Sequence, residues 1–348
     1  MDRPPRRRPP ARPSARPSAQ TFLRRRLAAG AVLLVGGFLL VRLVGAMLGG
    51  GDEQRSAATT TARTTGAKDG GGSDKVQAAA PARPKATQLP GGGRTFFPDR
   101  RVVGFYGNPA DKELGALGIG SPDQAARRLK RVAKSYGRKS RPVLPCLELL
   151  ATVAAGSPGD DGKYRIRASE KTIDRYLRAA RKAKAVLLLD VQPGLATFPQ
   201  EVRRLKKWLV QPDVSLALDP EWRLQPGQVP GQVIGSVSAK EVNAVSIDLA
   251  ALVRERNLPE KLFVIHQFTN DMVRDKRKVA IRKGLATVFN VDGFGAPPNK
   301  IGKYRDFTKS TPKGAHDGFK LFFNEDIDRM RPAAVMALRP RPDLIVYE

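Results

Sequence analysis

The sequence predicts an α/β protein: a (β/α)8 barrel of the TIM type that lacks the final helix, preceded by one transmembrane helix and a disordered linker. Three observations lead there. Short apolar runs, roughly 4–8 residues each, recur from Phe96 onward and read as buried parallel strands. Longer basic segments with helical spacing lie between them. Eight such repeats in about 250 residues is the arithmetic of this barrel. An open doubly wound sheet is the alternative.

In chain order, residues 1–26 come first, with nine Arg against one Asp in a Pro-rich setting. They read as a disordered basic tail in the cytoplasm. Leu27 to Val41 is an uninterrupted run of apolar and small residues, broken by Arg42 and resumed to Leu48. A spanning helix needs about 20 residues, so 27–48 suffices when Arg42 snorkels to the interface. Arg24, Arg25 and Arg26 before the run, and Asp52 and Glu53 after it, place the N-terminus inside and the remainder outside. A cleaved signal peptide is the competing reading. Residues 49–95 are Ala, Thr, Gly, Pro and Lys with little to bury, which predicts a flexible tether. The barrel domain is then 96–348, and the protein a single-pass membrane protein with an extracytoplasmic barrel.

The expected strands are Val102–Tyr106, Val143–Leu149, Val186–Val191, Val214–Leu218, Leu262–Phe268, Ala286–Val291, Phe319–Phe323 and Leu344–Tyr347. Helix starts are marked by capping boxes at Ser121-Pro-Asp-Gln124 and Ser238-Ala-Lys-Glu241, and by Ser169. The chain carries a net charge of +29, of which +17 falls on residues 96–348, most of it on the outward helix faces. A field of that size attracts anionic polymers or surfaces. Nucleic acid is not the expected partner of an external domain. The single cysteine, Cys146, allows no intramolecular disulfide and reads as a buried thiol. With only His266 and His316, a His-rich zinc site is excluded, while a carboxylate site for Ca²⁺ or Mg²⁺ stays open. No cofactor motif and no Gly-x-Ser-x-Gly elbow is present.

In this architecture chemistry sits at the C-terminal ends of the strands. There the sequence places Tyr106, Glu148, Asp190 with Gln192, Asp219-Pro-Glu221-Trp222, His266 with Gln267, Asp292 with Phe294, and Glu325. Carboxylates beside aromatic rings suit sugar chemistry, since acid–base groups must flank a flat apolar face. Asp219 and Glu221, two apart, are expected on one face of extended backbone. Glu221 is the expected acid and Asp219 its assistant, with Asp190, Asp292 and Glu325 as candidates for nucleophile or stabiliser. Tyr106, Glu148, Gln192, Trp222, His266, Gln267, Phe294 and Lys320 are the expected substrate contacts. Glu221 is expected within about 10 Å of a second acid, the span of retaining and inverting pairs. The loop from Arg223 to Val237, with Pro-Gly-Gln-Val repeated at 226–229 and 230–233, is expected over the barrel mouth.

Asp219-Pro-Glu221-Trp222 resembles the Asp-x-Glu strand-four motif of chitinase-like and lysozyme-like glycoside hydrolases, although Val214 and Ala217 stand where the fuller motif has aspartates. Glu221 and Glu325 are also similar in position to the catalytic pair of barrels that use strands four and seven, with Pro220 in place of the usual Asn. A broader resemblance rests on Gly104-Phe-Tyr-Gly107, Leu218-Asp-Pro-Glu-Trp-Arg223, Pro226 to Gly235, His266-Gln-Phe268, Val291-Asp-Gly-Phe-Gly295 and Gly318-Phe-Lys-Leu-Phe322. These resemble a family of actinobacterial envelope proteins. That resemblance implies architecture and location, and no activity. Two functions are expected: hydrolysis of a cell-envelope glycan, or non-catalytic binding of anionic envelope polymers or protein partners.

Overall fold

The computed structural model describes residues 84–348. Eight parallel strands close into a barrel: β1 (Arg101–Gly107), β2 (Val143–Ala154), β3 (Val186–Val191), β4 (Val214–Leu218), β5 (Lys261–Gln267), β6 (Leu285–Val291), β7 (His316–Leu321) and β8 (Leu344–Tyr347). Each pairs with the next, and β8 returns to β1 with Val103 opposite Ile345. The strands read as continuous apolar runs because both of their faces are covered. Val103, Phe105, Leu187, Leu216, Phe263 and Ile345 point outward into the helix layer. Val102, Leu144, Cys146, Leu188, Val264 and Val346 fill the barrel's lower interior. Cys146 is fully enclosed there, and burial pushes its thiol pKa well up.

The helices begin where their caps predict. Helix α1 (Pro122–Ala133) has a complete capping box between Ser121 and Gln124 and buries Ala125, Ala126, Leu129 and Ala133 along one stripe. Ser169 caps α2 (Glu170–Ala183), which buries Ile173, Tyr176, Leu177 and Ala180. A capping box at Thr197 and Gln200 starts α3 (Phe198–Arg204), followed by the single turn α4 (Lys206–Leu209). Ser238 caps α5 (Ala239–Glu255) through its hydroxyl; the Glu241 side chain turns instead to Arg223 and to the Phe198 amide. Helices α6 (Pro297–Thr308) and α7 (Pro332–Met336) complete the set, each with Pro in its first turn.

The structure departs from expectation in four places. β2 extends to Ala154 through an irregularity at Leu150–Thr152 and pairs antiparallel with the short strand Arg165–Arg167. Among the described residues no α-helix joins β5 to β6. That segment has no apolar stripe at helical spacing, so it runs extended, with Val273 paired to Val237, and then takes one 3₁₀ turn at Lys276–Lys278. β7 starts at His316 and ends at Leu321, earlier than the expected Phe319–Phe323. Finally, residues 84–95, assigned to the tether, pack on the barrel's N-terminal end. Leu89 is buried with Phe96 and Phe97, and Arg94 donates to the Thr87, Asn257 and Leu258 carbonyls.

No helix among the described residues is long and apolar enough to cross a membrane. The tail, the span expected at 27–48 and the tether up to residue 83 lie outside the described residues.

At the barrel's N-terminal end, Lys261 is sealed from solvent and donates to the carbonyls of Gln211 and Val214. Burial lowers its pKa to about 7. The unfolded chain therefore binds the extra proton up to the ordinary lysine value, and stability from this group rises with pH above about 7. Between pH 7 and about 9.5, the native chain should gain melting temperature relative to Lys261→Met. Parallel melting curves of the two proteins across that range are the check; identical slopes would remove Lys261 as the cause.

Candidate functional site

Strand alternation decides what enters the barrel's C-terminal half. On β1 the inward residues Val102 and Gly104 lead to Tyr106. On β2 Cys146 leads to Glu148, on β3 Leu188 to Asp190, on β5 Val264 to His266, and on β6 Val288 to Asn290 and Asp292. β4 contributes Ala217 and then Asp219, and β7 contributes Gly318 and then Lys320. The small residues make room for the large polar ones. A Cβ at Gly318 would lie 2.5 Å from Asn290 Oδ1.

The charged groups form one chain of contacts. His266 Nε2 lies 2.9 Å from Glu148 Oε1, and Nδ1 lies 3.2 Å from Asp292 Oδ2. Lys320 Nζ lies 3.0 Å from Asp292 Oδ2 and 2.7 Å from Glu348 Oε2, and it sits 3.7 Å from the centre of the Tyr106 ring. Burial alone would pull the His266 pKa down. Glu148 and the hydrogen bonds to Asp292 and Glu148 outweigh it and hold the imidazole well above its ordinary value. Lys320 follows the same logic: burial opposes its charge, and Asp292, Glu348, Asp219 and Glu148 together raise its pKa.

A second group lies beside the first. Gln192 Nε2 donates to Tyr106 Oη at 3.0 Å and to Asp219 Oδ2 at 3.2 Å, while its Oε1 accepts from the Ala154 amide. Burial raises the Asp219 pKa well above the ordinary carboxylate range, and the negative charges of Asp190 and Glu221 push the same way. Burial also lifts Asp190 to about 6, with Glu148 adding to the effect and His266 and Lys320 opposing it.

The expected geometry of the Asp-x-Glu pair needs correction. Pro220 cannot donate to the ladder, so β4 ends at Leu218 and Pro220–Trp222 form a 3₁₀ turn headed by Asp219. The pair is brought together by this turn and not by extended backbone. Glu221 is nonetheless buried. The 223–237 loop closes on it: the Gly235 amide donates to the Glu221 carbonyl, and a Cβ at Gly235 would meet that oxygen at 2.6 Å. The repeated Pro-Gly-Gln-Val segments form two successive turns, with Gln228 bonded to Gln225 and Gln232 to Val229.

Several shielded polar atoms at this end have no hydrogen-bond partner: Glu148 Oε2, Asp190 Oδ2, Asn290 Oδ1, Gln267 Oε1, Thr269 Oγ1 and Trp222 Nε1. Native proteins leave few such atoms unpaired, so their concentration in one place argues for an occupant. Among the described residues, Glu148, Asp190 and His266 each offer a donor atom within 4.8 Å of the others, so they could hold a metal ion. No protein-family model and no curated protein sequence matches this chain. Its function is therefore read from the geometry.

Of the expected site residues, the barrel interior gathers Tyr106, Glu148, Asp190, Gln192, Asp219, His266, Asp292 and Lys320. Gln267 donates to the Thr269 carbonyl beside them, and half-buried Phe294 packs edge-on against Phe322. Glu325 follows β7. It lines a lateral cavity of about 380 Å³ with Phe105, Arg128, Arg131 and Phe323, which Glu348 also borders. Sequence reasoning omitted Asn290, whose Nδ2 lies 3.3 Å from His266 Nδ1, and Glu348, the acid facing Lys320. It also omitted Asp326, which accepts from Gly295, Lys300 and Phe322 and ties the loops after β6 and β7 together. Alternation signalled the first two: Asn290 is two before Asp292, and Glu348 is two after Val346.

Removing Lys320 leaves buried carboxylates facing each other. Lys320→Met should cost about 3–5 kcal/mol of stability. Adding Glu348→Gln should return part of that loss, because one uncompensated charge is removed with its partner. Urea unfolding of the two single variants and the double variant measures the coupling; simple additivity would contradict the pairing.

Proposed function

We propose that the barrel is a glycoside hydrolase acting on a glycan of the cell envelope, with Glu221 as the proton donor and Asp219 as its assistant. The observation that carries this reading is the crowding of Asp190, Asp219 and Glu221 at the C-terminal ends of β3 and β4, where burial and mutual repulsion raise the Asp219 pKa. Carboxyl groups whose environments push their pKa values apart supply an acid and a base in one site. In this reading Asp219, its pKa raised by burial and its Oδ2 accepting from Gln192, assists Glu221. In this reading Glu221, on the turn that Asp219 heads, protonates the glycosidic oxygen. Asp190 is the reserve carboxylate behind the pair, while Asp292 is committed to His266 and Lys320 and serves as a fixed anion. Trp222 and Phe294 offer ring faces to a sugar, and Trp222 Nε1, Gln267 Oε1 and Thr269 Oγ1 offer unused hydrogen-bonding capacity to its hydroxyls.

In this proposal residues 27–48 anchor the protein in the cell membrane and the barrel faces the envelope, its basic surface favouring anionic polymers. Protease added to intact cells should then cut within the tether and release a core beginning close to residue 84. Protection of the barrel until the membrane is opened would reverse the orientation.

The activity test uses the purified full-length chain against peptidoglycan, chitin oligomers and arabinogalactan, reading released reducing ends. Turnover on one of them, with a drop of at least about 10²-fold in Glu221→Gln, is the expected result. Stoichiometric glycan binding without turnover, unchanged in Glu221→Gln, would favour the non-catalytic binding barrel instead.

A further inference from the structure

Beneath the proposed proton-transfer pair, the barrel holds a cluster that shares only Asp190 with that reading. Glu148, Asp190 and His266 come from β2, β3 and β5, and none is exposed to solvent. β4 runs between β3 and β5, and opposite Asp190 and Val264 it presents only Ala217. The carboxylate and the imidazole can therefore approach each other across a small side chain.

We infer that Glu148, Asp190 and His266 form a binding site for a divalent first-row cation such as Zn²⁺ or Mn²⁺. Two unused acceptors point to a ligand independently of the acidic composition: Glu148 Oε2 and Asp190 Oδ2 are shielded from solvent and have no hydrogen-bond partner. An unpartnered buried carboxylate oxygen is costly unless a cation or a donor meets it. The three donor atoms lie within 4.8 Å of one another. Metal bonds of about 2.0–2.2 Å leave donors roughly 3–4 Å apart, so small rotamer movements complete the set.

The surroundings supply what a ligating histidine needs. His266 Nε2 faces Glu148 at 2.9 Å, while Nδ1 is held by Asp292 Oδ2 at 3.2 Å, with Asn290 Nδ2 at 3.3 Å. A carboxylate on the far nitrogen fixes the ring orientation and makes the near nitrogen a better donor. The Nε2 contact to Glu148 at 2.9 Å is the bond an entering cation replaces, and the proton it carries leaves as the ion binds. One imidazole with two carboxylates suits Zn²⁺ or Mn²⁺ and discriminates against Ca²⁺, which takes oxygen ligands alone.

The inference does not rest on the hydrolytic reading, because binding is measured without turnover. The full-length chain is stripped with chelator, then titrated with Zn²⁺ and, separately, Mn²⁺, with calorimetry and bound-metal analysis as readouts. The expected result is one ion per chain and a raised melting temperature. Asp190→Asn should abolish that ion, and Asp292→Asn should weaken it about 10–100-fold. Glu221→Gln and His316→Ala should keep it. X-ray absorption of the zinc-bound wild-type chain should show one imidazole among oxygen donors, a readout that stands if a variant fails to fold. No stoichiometric ion, an ion unaffected by Asp190→Asn, or a spectrum without imidazole would overturn the inference.

Discussion

The contact on which this barrel's interior depends is the one between Lys320 and Asp292. A lysine almost fully enclosed by protein keeps its charge only if anions surround it at hydrogen-bond distance. Asp292 is such an anion, and the same carboxylate oxygen also faces His266 Nδ1. Asp292 thus links Glu348 and Lys320 on one side to His266 and Glu148 on the other. Strands β2, β5, β6 and β7, together with the residue after β8, are joined through side chains as well as through the ladder. An apolar filling would have closed the barrel at least as well. A charged filling that leaves two carboxylate oxygens unpaired makes better sense as a site than as a staple.

The barrel is legible in the sequence because its strands are buried on both faces, so each appears as an unbroken apolar run. Val186–Val191, Val214–Leu218 and Leu344–Tyr347 have the same bounds in sequence and structure. Their carboxyl ends are legible for the same reason, since a polar residue after such a run marks where the ladder meets the mouth. The path of the chain beyond a strand end is less legible. Pro220 reads as a strand-end residue, but it also directs its neighbours into a turn, which changes how Glu221 meets Asp219. The stretch between β5 and β6 is basic like the helices around it. Charge without an apolar stripe gives a helix nothing to pack, and this segment pairs with the loop after β4 instead.

Partners far apart in sequence are not legible at all. Glu148 and His266 are separated by 118 positions, and Lys320 and Asp292 by 28. Each pair exists because the barrel sets strand register, and register is a property of closure, not of either strand alone. Asn290 and Glu348 are hidden for a related reason. An amide inside an apolar strand, or an acid at the end of a chain, looks ordinary until alternation assigns it an inward direction.

The two proposed roles divide the site by depth and by electrostatics. At the rim, Glu221 and Asp219 sit on a turn that the 223–237 loop closes on, and burial together with the charges of Asp190 and Glu221 raises the Asp219 pKa. Deeper, Glu148 and Asp190 face His266, where Asp292 orients the ring toward them. A cation bound there would draw negative charge away from Asp219 and ease its ionisation. Asp190 belongs to both groups: its charge raises the Asp219 pKa, and its carboxylate is part of the deep cluster.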